Sequence, residues 1–162
     1  MARSFFQWLK EVFMSESDTS CETTAGQLSK TIKVKVEMDQ DGACWQYAIE
    51  ADDKASDPYV KAGNKIEMGS GPGSGAVIEF RLQGKAGKQL DFDTNDPIWV
   101  STTSCPSGKL AFPIGVRLTG CSENRLTIEN DNAGAAVDLH YRLNFKGNLS
   151  WDPIIRNGGG GP

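Results

Sequence analysis

From Thr31 onward the chain alternates between apolar and polar residues with a period of two. Ahead of that region, one short stretch repeats with the period of a helix. In 31–38, Ile32, Val34, Val36 and Met38 fall on one side and Lys33, Lys35 and Glu37 on the other, which predicts a half-buried strand. Asp39 to Gly42 is a turn, and 43–51 returns with Trp45, Tyr47 and Ile49 in step, so the pair predicts a hairpin. After a loop over 52–63, the same alternation predicts strands over 64–68, 76–83, 90–94, 98–101, 110–119, 125–129 and 135–146, with a final extended piece over 149–155. In 110–119 the residues in step are Phe112, Ile114, Val116 and Leu118, and Pro113 among the outward positions marks an edge or a bulge. Eight or nine short strands separated by turns, with no helix between them, predict an all-β domain over 30–156. Its expected architecture is an antiparallel two-sheet β-sandwich of immunoglobulin-like or cupredoxin-like shape, with a closed barrel as the alternative.

The helical exception is 3–14, RSFFQWLKEVFM. At 100° per residue Phe5, Phe6, Trp8, Leu9, Val12 and Phe13 share one face, an arc roughly 160° wide, while Arg3, Ser4, Gln7, Lys10 and Glu11 take the other. Ser4 can act as the N-cap. So short a helix is marginal alone in water, so its apolar face must be covered. The candidates are its own domain, a partner protein or second copy of the chain, and a membrane surface. Phe5, Phe6 and Trp8 with Arg3 and Lys10 suit the last, but two basic residues beside Glu11 attract anionic lipid weakly. Interruption by Gln7, Lys10 and Glu11 argues against a signal peptide. The expected organisation is an amphipathic helix over 1–14, a flexible acidic linker over 15–29 carrying Glu16, Asp18 and Glu22, the β domain, and a disordered glycine-rich tail over 157–162.

Composition narrows the functional classes. The 162 residues carry a net charge of −4, which argues against general nucleic-acid binding. Cys21, Cys44, Cys105 and Cys121 lack metal-type spacing, and with no export signal they are expected to be reduced in a cytoplasmic chain, one that can be peripheral to a membrane. In an exported chain Cys105 and Cys121 would be the pair to expect.

Catalytic chemistry finds little purchase. His140 is the only histidine and falls on the outward side of its strand between Asp138 and Arg142. No nucleophile motif accompanies it, and a blue-copper centre needs two histidines. Glycine-rich 69–75 lacks the Lys-Ser/Thr ending of a phosphate loop and leads into a strand. Asp39–Asp41, Asn130–Asn132 and the group Asp91, Asp93 and Asp96 offer oxygen ligands near turns, and the last is the best candidate for a calcium ion, though none matches an EF-hand. Trp45, Trp99 and Trp151 are candidates for a carbohydrate platform, with Trp45 at a core-facing position.

The long alternating strand followed by Trp151-Asp-Pro-Ile154 resembles the end of the bacterial inclusion-body proteins of the AidA/PixA type, small β-sandwich proteins. The likeness covers 137–154, and no function is carried over from it. The residues together point to a non-enzymatic structural or accessory subunit, without a cofactor, whose helix docks through Phe5, Phe6, Trp8, Leu9, Val12 and Phe13 onto a protein assembly or a membrane-associated complex. The alternative is a ligand-binding module for calcium or carbohydrate.

Overall fold

A computed structural model describes residues 28–41, 44–69, 73–84, 90–132, 137–147, 149–151 and 154–157. The amphipathic segment with Phe5, Phe6, Trp8, Leu9, Val12 and Phe13, most of the acidic linker, and the residues after Asn157 lie outside them. Side chains over 38–46, Trp45 among them, are likewise not described.

Among the described residues there are eleven strands and no helix: β1 (Thr31–Asp41), β2 (Cys44–Ala51), β3 (Val60–Lys61), β4 (Lys65–Met68), β5 (Ala76–Gly84), β6 (Ile98–Ser101), β7 (Val116–Cys121), β8 (Arg125–Asn130), β9 (Val137–Phe145), β10 (Leu149–Trp151) and β11 (Ile154–Asn157). One sheet has the order β2-β1-β5-β8-β7. In the other, β9 carries β6 on one edge and β10 and β11 on the opposite edge, and the sheet continues through β4 to β3. β10 and β11 hold one register against β9, with Leu149 opposite Phe145 and Ile154 opposite His140, so Asp152-Pro153 falls between two halves of a single edge of pairing.

The expected wholly antiparallel pairing is corrected. β1 runs parallel to β5, with Val34 opposite Phe80, and β11 runs parallel to β4, with Ile155 opposite Ile66. Both sheets are therefore mixed or joined through a parallel pair, and each such pair needs a long crossover that local turn signals do not announce. The β1–β2 hairpin matches expectation, in a register that places Met38 opposite Tyr47.

Alternation fills the interior. Ile32, Val34 and Val36 of β1, Ile78 and Phe80 of β5, and Leu126 and Ile128 of β8 are buried on the first sheet. Leu139, Tyr141, Leu143 and Phe145 of β9, Ile66 of β4 and Ile155 of β11 are buried on the second. All belong to one hydrophobic cluster, and the rings of Phe80 and Tyr141 meet between the sheets at 5.4 Å. Burying each such side chain contributes about 1.5–3 kcal/mol. The outward positions of the first sheet carry a ladder of ion pairs: Lys35 with Glu50 at 2.8 Å and with Glu37 at 3.0 Å, and Arg81 with Asp52 at 3.2 Å. Such half-exposed pairs keep the face soluble more than they stabilise it.

Two expected strands dissolve. The 90–94 stretch contributes only an isolated bridge, Phe92 to Phe145. In 110–119 only the second half pairs, because β7 begins at Val116. Leu110, Phe112 and Ile114 are exposed, Ile114 by 98%. Alternation here reports neither a strand nor an inward face, because Pro113 has no N–H for a ladder and Gly115 turns the chain at φ +82°.

Candidate binding cleft

At the end of the molecule where β1 and β5 begin and β8 finishes, the sheets leave a cavity of about 610 Å³ between them. Val100 and Ser101 of β6, Val116 of β7, and Val137 and Leu139 of β9 form its walls, and Leu110, Pro113 and Ile114 form its rim. Its size is in the roughly 300–1,000 Å³ range of small-molecule and side-chain pockets. The polar lining consists of hydroxyls from Ser101, Thr102 and Thr103 and the amides of Asn130 and Asn132. None of these lining residues ionises, so the cavity offers apolar contact and hydrogen bonds but no acid or base.

The floor is built by residues that the sequence suggested as metal ligands. Asn130, buried at the end of β8, faces Ala76 on one side and Val116 on the other. Its side-chain oxygen accepts the Asn132 N–H at 3.0 Å, and its amide reaches the Met68 sulfur at 3.4 Å. Asn132, at φ +48°, donates from Nδ2 to the Gly69 carbonyl at 2.8 Å and to Ser74 Oγ. The run 130–132 thereby latches Gly69 and Ser74, at either end of the glycine-rich connector, to the end of β8. Its polar atoms serve the fold, which is why buried amides are tolerated there.

Asp91, Asp93 and Asp96 are not gathered into one centre. Asp91 pairs with Lys146 at 3.2 Å, Asp93 Oδ1 accepts the Asn95 N–H at 3.0 Å, and Asp96 accepts Trp99 Nε1 at 2.7 Å while pairing with Lys109 at 3.0 Å. Among the described residues no group of three or more His, Cys, Asp or Glu side chains is arranged to hold a metal ion. What the structure does bring together is a polar groove of about 380 Å³, in which Asp93, Asp96 and Trp99 meet Arg142, Asn144 and Ser150 on the outer face of the second sheet. The Arg142 guanidinium lies 5.6 Å from the Trp99 ring centre, and Asn144 Nδ2 donates to the Asp96 carbonyl at 2.9 Å. Arg142 and Asn144 could not be linked to Trp99 from the sequence, because their meeting depends on the β6–β9 register.

Trp99 and Trp151 do not share one platform, and the side chain of Trp45 lies outside the described ones. Trp99 stands opposite Arg142 and Trp151 opposite Leu143, so alternation sends them to opposite faces of the sheet. Trp151 stacks on Tyr47 at 5.5 Å, within a chain of rings that continues to Phe145 and Phe92. His140 is half-buried opposite Ser101, one residue from the buried Leu139 and Tyr141. Cys105 and Cys121 are not in a disulfide, so the pair considered for an exported chain is not joined here. Burial, and then the nearby Asp93 carboxylate, push the Cys121 thiol above its ordinary range, which keeps it protonated and a poor nucleophile.

No protein-family model matches the chain, and a comparison with curated proteins finds no match.

Proposed function

We propose that this protein is a non-enzymatic accessory module: a two-sheet β-sandwich, of immunoglobulin-like or cupredoxin-like layout, that is brought to a partner protein assembly by the apolar face of its amphipathic segment 3–14. One observation carries the reading. The described strands between 31 and 157 supply buried core residues of their own, and the apolar arc of Phe5, Trp8, Leu9 and Val12, on a segment too short to hold a helix alone in water, suits a groove on a partner. The ionisable side chains of the described domain support a non-catalytic role, since they sit mainly in ion pairs and turns on outer faces. The experiment is co-purification of the full chain and of a chain lacking residues 1–14. Loss of the same associated proteins, with the strands still cooperatively folded, is the expected result. Retention of every associated protein by the shortened chain would overturn it.

A second reading, a module for a small polar ligand such as a sugar, is favoured by the groove in which Trp99 lies beside Asp93, Asp96, Arg142 and Asn144. Its test is a rise in melting temperature with saccharide, abolished in Trp99→Ala.

A further inference from the structure

We propose that, in the absence of an external partner, residues 3–14 dock into the cleft of their own domain, covering Leu110, Phe112 and Ile114. The proposal rests on the amphipathic reading of this segment but requires no outside partner.

Three observations converge on the cleft. First, its rim displays apolar side chains to solvent. Leu110 is 56% exposed, Phe112 37% and Ile114 98%, all within five residues and beside an apolar cavity of about 610 Å³. A cluster of this kind marks an interaction surface more often than a chance exposure does. Second, the chain leads there. Leu28 packs over Gly75, where a β-carbon would come within 2.8 Å of its Cδ2 and within 2.9 Å of the Asn130 carbonyl oxygen. Asn130 is itself part of the cleft floor. The order β1-β5-β8 puts the start of β1 two strand spacings, about 10 Å, from the end of β8. Third, the tether is long enough. Residues 15–27 have the polar composition of a coil, and a coil of that length spans roughly 20 Å.

Chemistry matches on both sides. The segment offers Phe5, Phe6, Trp8 and Phe13, large rings with few rotors, and the cleft offers aliphatic walls from Val100, Val116, Val137 and Leu139. A tether of this length presents such a segment to its own domain at an effective concentration on the order of millimolar, so docking within one molecule wins over a second copy at ordinary dilution. The cleft and an outside assembly then compete for one apolar face. The cleft acts as a latch, and a partner must bind the segment better than the cleft does in order to open it.

Amide hydrogen exchange on the full chain tests this directly. The wild type is compared with Ile114→Asp, with Leu110→Ser/Ile114→Asp, and with Trp8→Ser. The expected result is exchange at residues 5–13 at least about tenfold slower than in an unstructured chain. That protection should be lost in all three variants while β5 and β9 stay protected, and it should be independent of protein concentration. Absence of protection in the wild type would overturn the proposal, as would protection that survives Leu110→Ser/Ile114→Asp. Protection that grows with concentration would assign the cleft to a second copy, and protection seen only with anionic phospholipid vesicles would assign the segment to a membrane; either result also overturns it. Failure of the accessory reading shows elsewhere, as co-purification indifferent to residues 1–14, and leaves this exchange experiment unaffected.

Discussion

Gly115 and Asp131 interlock at the mouth of the cleft. The Asp131 N–H donates to the Gly115 carbonyl at 2.9 Å, and a β-carbon on Gly115 would overlap the Asp131 carboxylate. With φ at +82°, Gly115 also holds a backbone conformation that other residues adopt at a cost. Gly115→Ala is therefore expected to lower stability by about 2–3 kcal/mol in urea unfolding. Because the rim residue Ile114 is its immediate neighbour, the same substitution should displace the rim, read as a change in exchange over 110–116.

Asn64 protects an open edge. Its Oδ1 accepts the Ile49 N–H at 3.1 Å and its Nδ2 approaches the Tyr47 carbonyl at 3.5 Å, imitating a strand beside β2. The residue sits at φ +60°. Replacement by glycine removes the cap alone, whereas replacement by alanine removes the cap and adds left-handed strain. Asn64→Ala should thus cost about 1–2 kcal/mol more than Asn64→Gly. Equal losses in thermal unfolding would show that the backbone carries no strain there. Both variants expose a strand edge and should aggregate sooner on heating.

Ser56 ties the 52–59 loop to β1. Fully buried, it donates from Oγ to Asp53 Oδ1 at 2.7 Å and accepts the Lys33 N–H at 2.8 Å. Ser56→Ala leaves that N–H unmatched and is expected to cost about 1–3 kcal/mol. The Ser56 hydrogen bond, with Lys33 at 3.3 Å, holds the Asp53 carboxyl below its ordinary range. A depressed carboxylate contributes stability above its unfolded pKa and loses it as pH falls through the lower folded value. Stability should fall below about pH 4, and less steeply in Asp53→Asn, as followed by urea midpoints across the acid range.

Lys35 makes the opposite prediction at the alkaline end. Its hydrogen bonds to the Glu50 carboxylate and then to Glu37 raise the ammonium to about 12. A raised lysine contributes stability below its unfolded pKa and loses it as pH climbs through the folded value. The expected loss runs from about pH 10.5 to about 12, and Lys35→Met should flatten it. An unchanged alkaline profile in that variant would remove Lys35 as the cause.

Tyr141 carries a buried hydroxyl with no hydrogen-bond partner among the described residues, beside the Phe80 ring. Burial pushes its pKa well above the usual tyrosine value, so it stays neutral. Tyr141→Phe removes a desolvated polar atom without opening a cavity and is expected to raise stability by up to about 1 kcal/mol. A clear loss in the same unfolding assay would show that the hydroxyl is satisfied.

Periodicity alone determined much of this protein. Ile32, Val34 and Val36, Ile78 and Phe80, and the run from Leu139 to Phe145 stand inward as their spacing requires, because a strand's side chains alternate whatever strand lies beside it. The same rule failed at Phe112 and Ile114, where the period is present but Pro113 has no N–H to give a ladder and the side chains meet solvent. Tertiary structure alone decided which strands pair. The parallel couples β1–β5 and β4–β11 join residues more than forty positions apart, and no local signal encodes such a closure. It also decided the fate of the acidic residues. Asp91, Asp93 and Asp96 are neighbours in sequence, but Lys146, Asn95, Trp99 and Lys109 draw their carboxylates to separate partners. A binding site needs groups to converge in space, and that convergence depends on registers between distant strands. The cleft rimmed by Leu110 and Ile114, and the asparagines beneath it, became visible only once those registers were set.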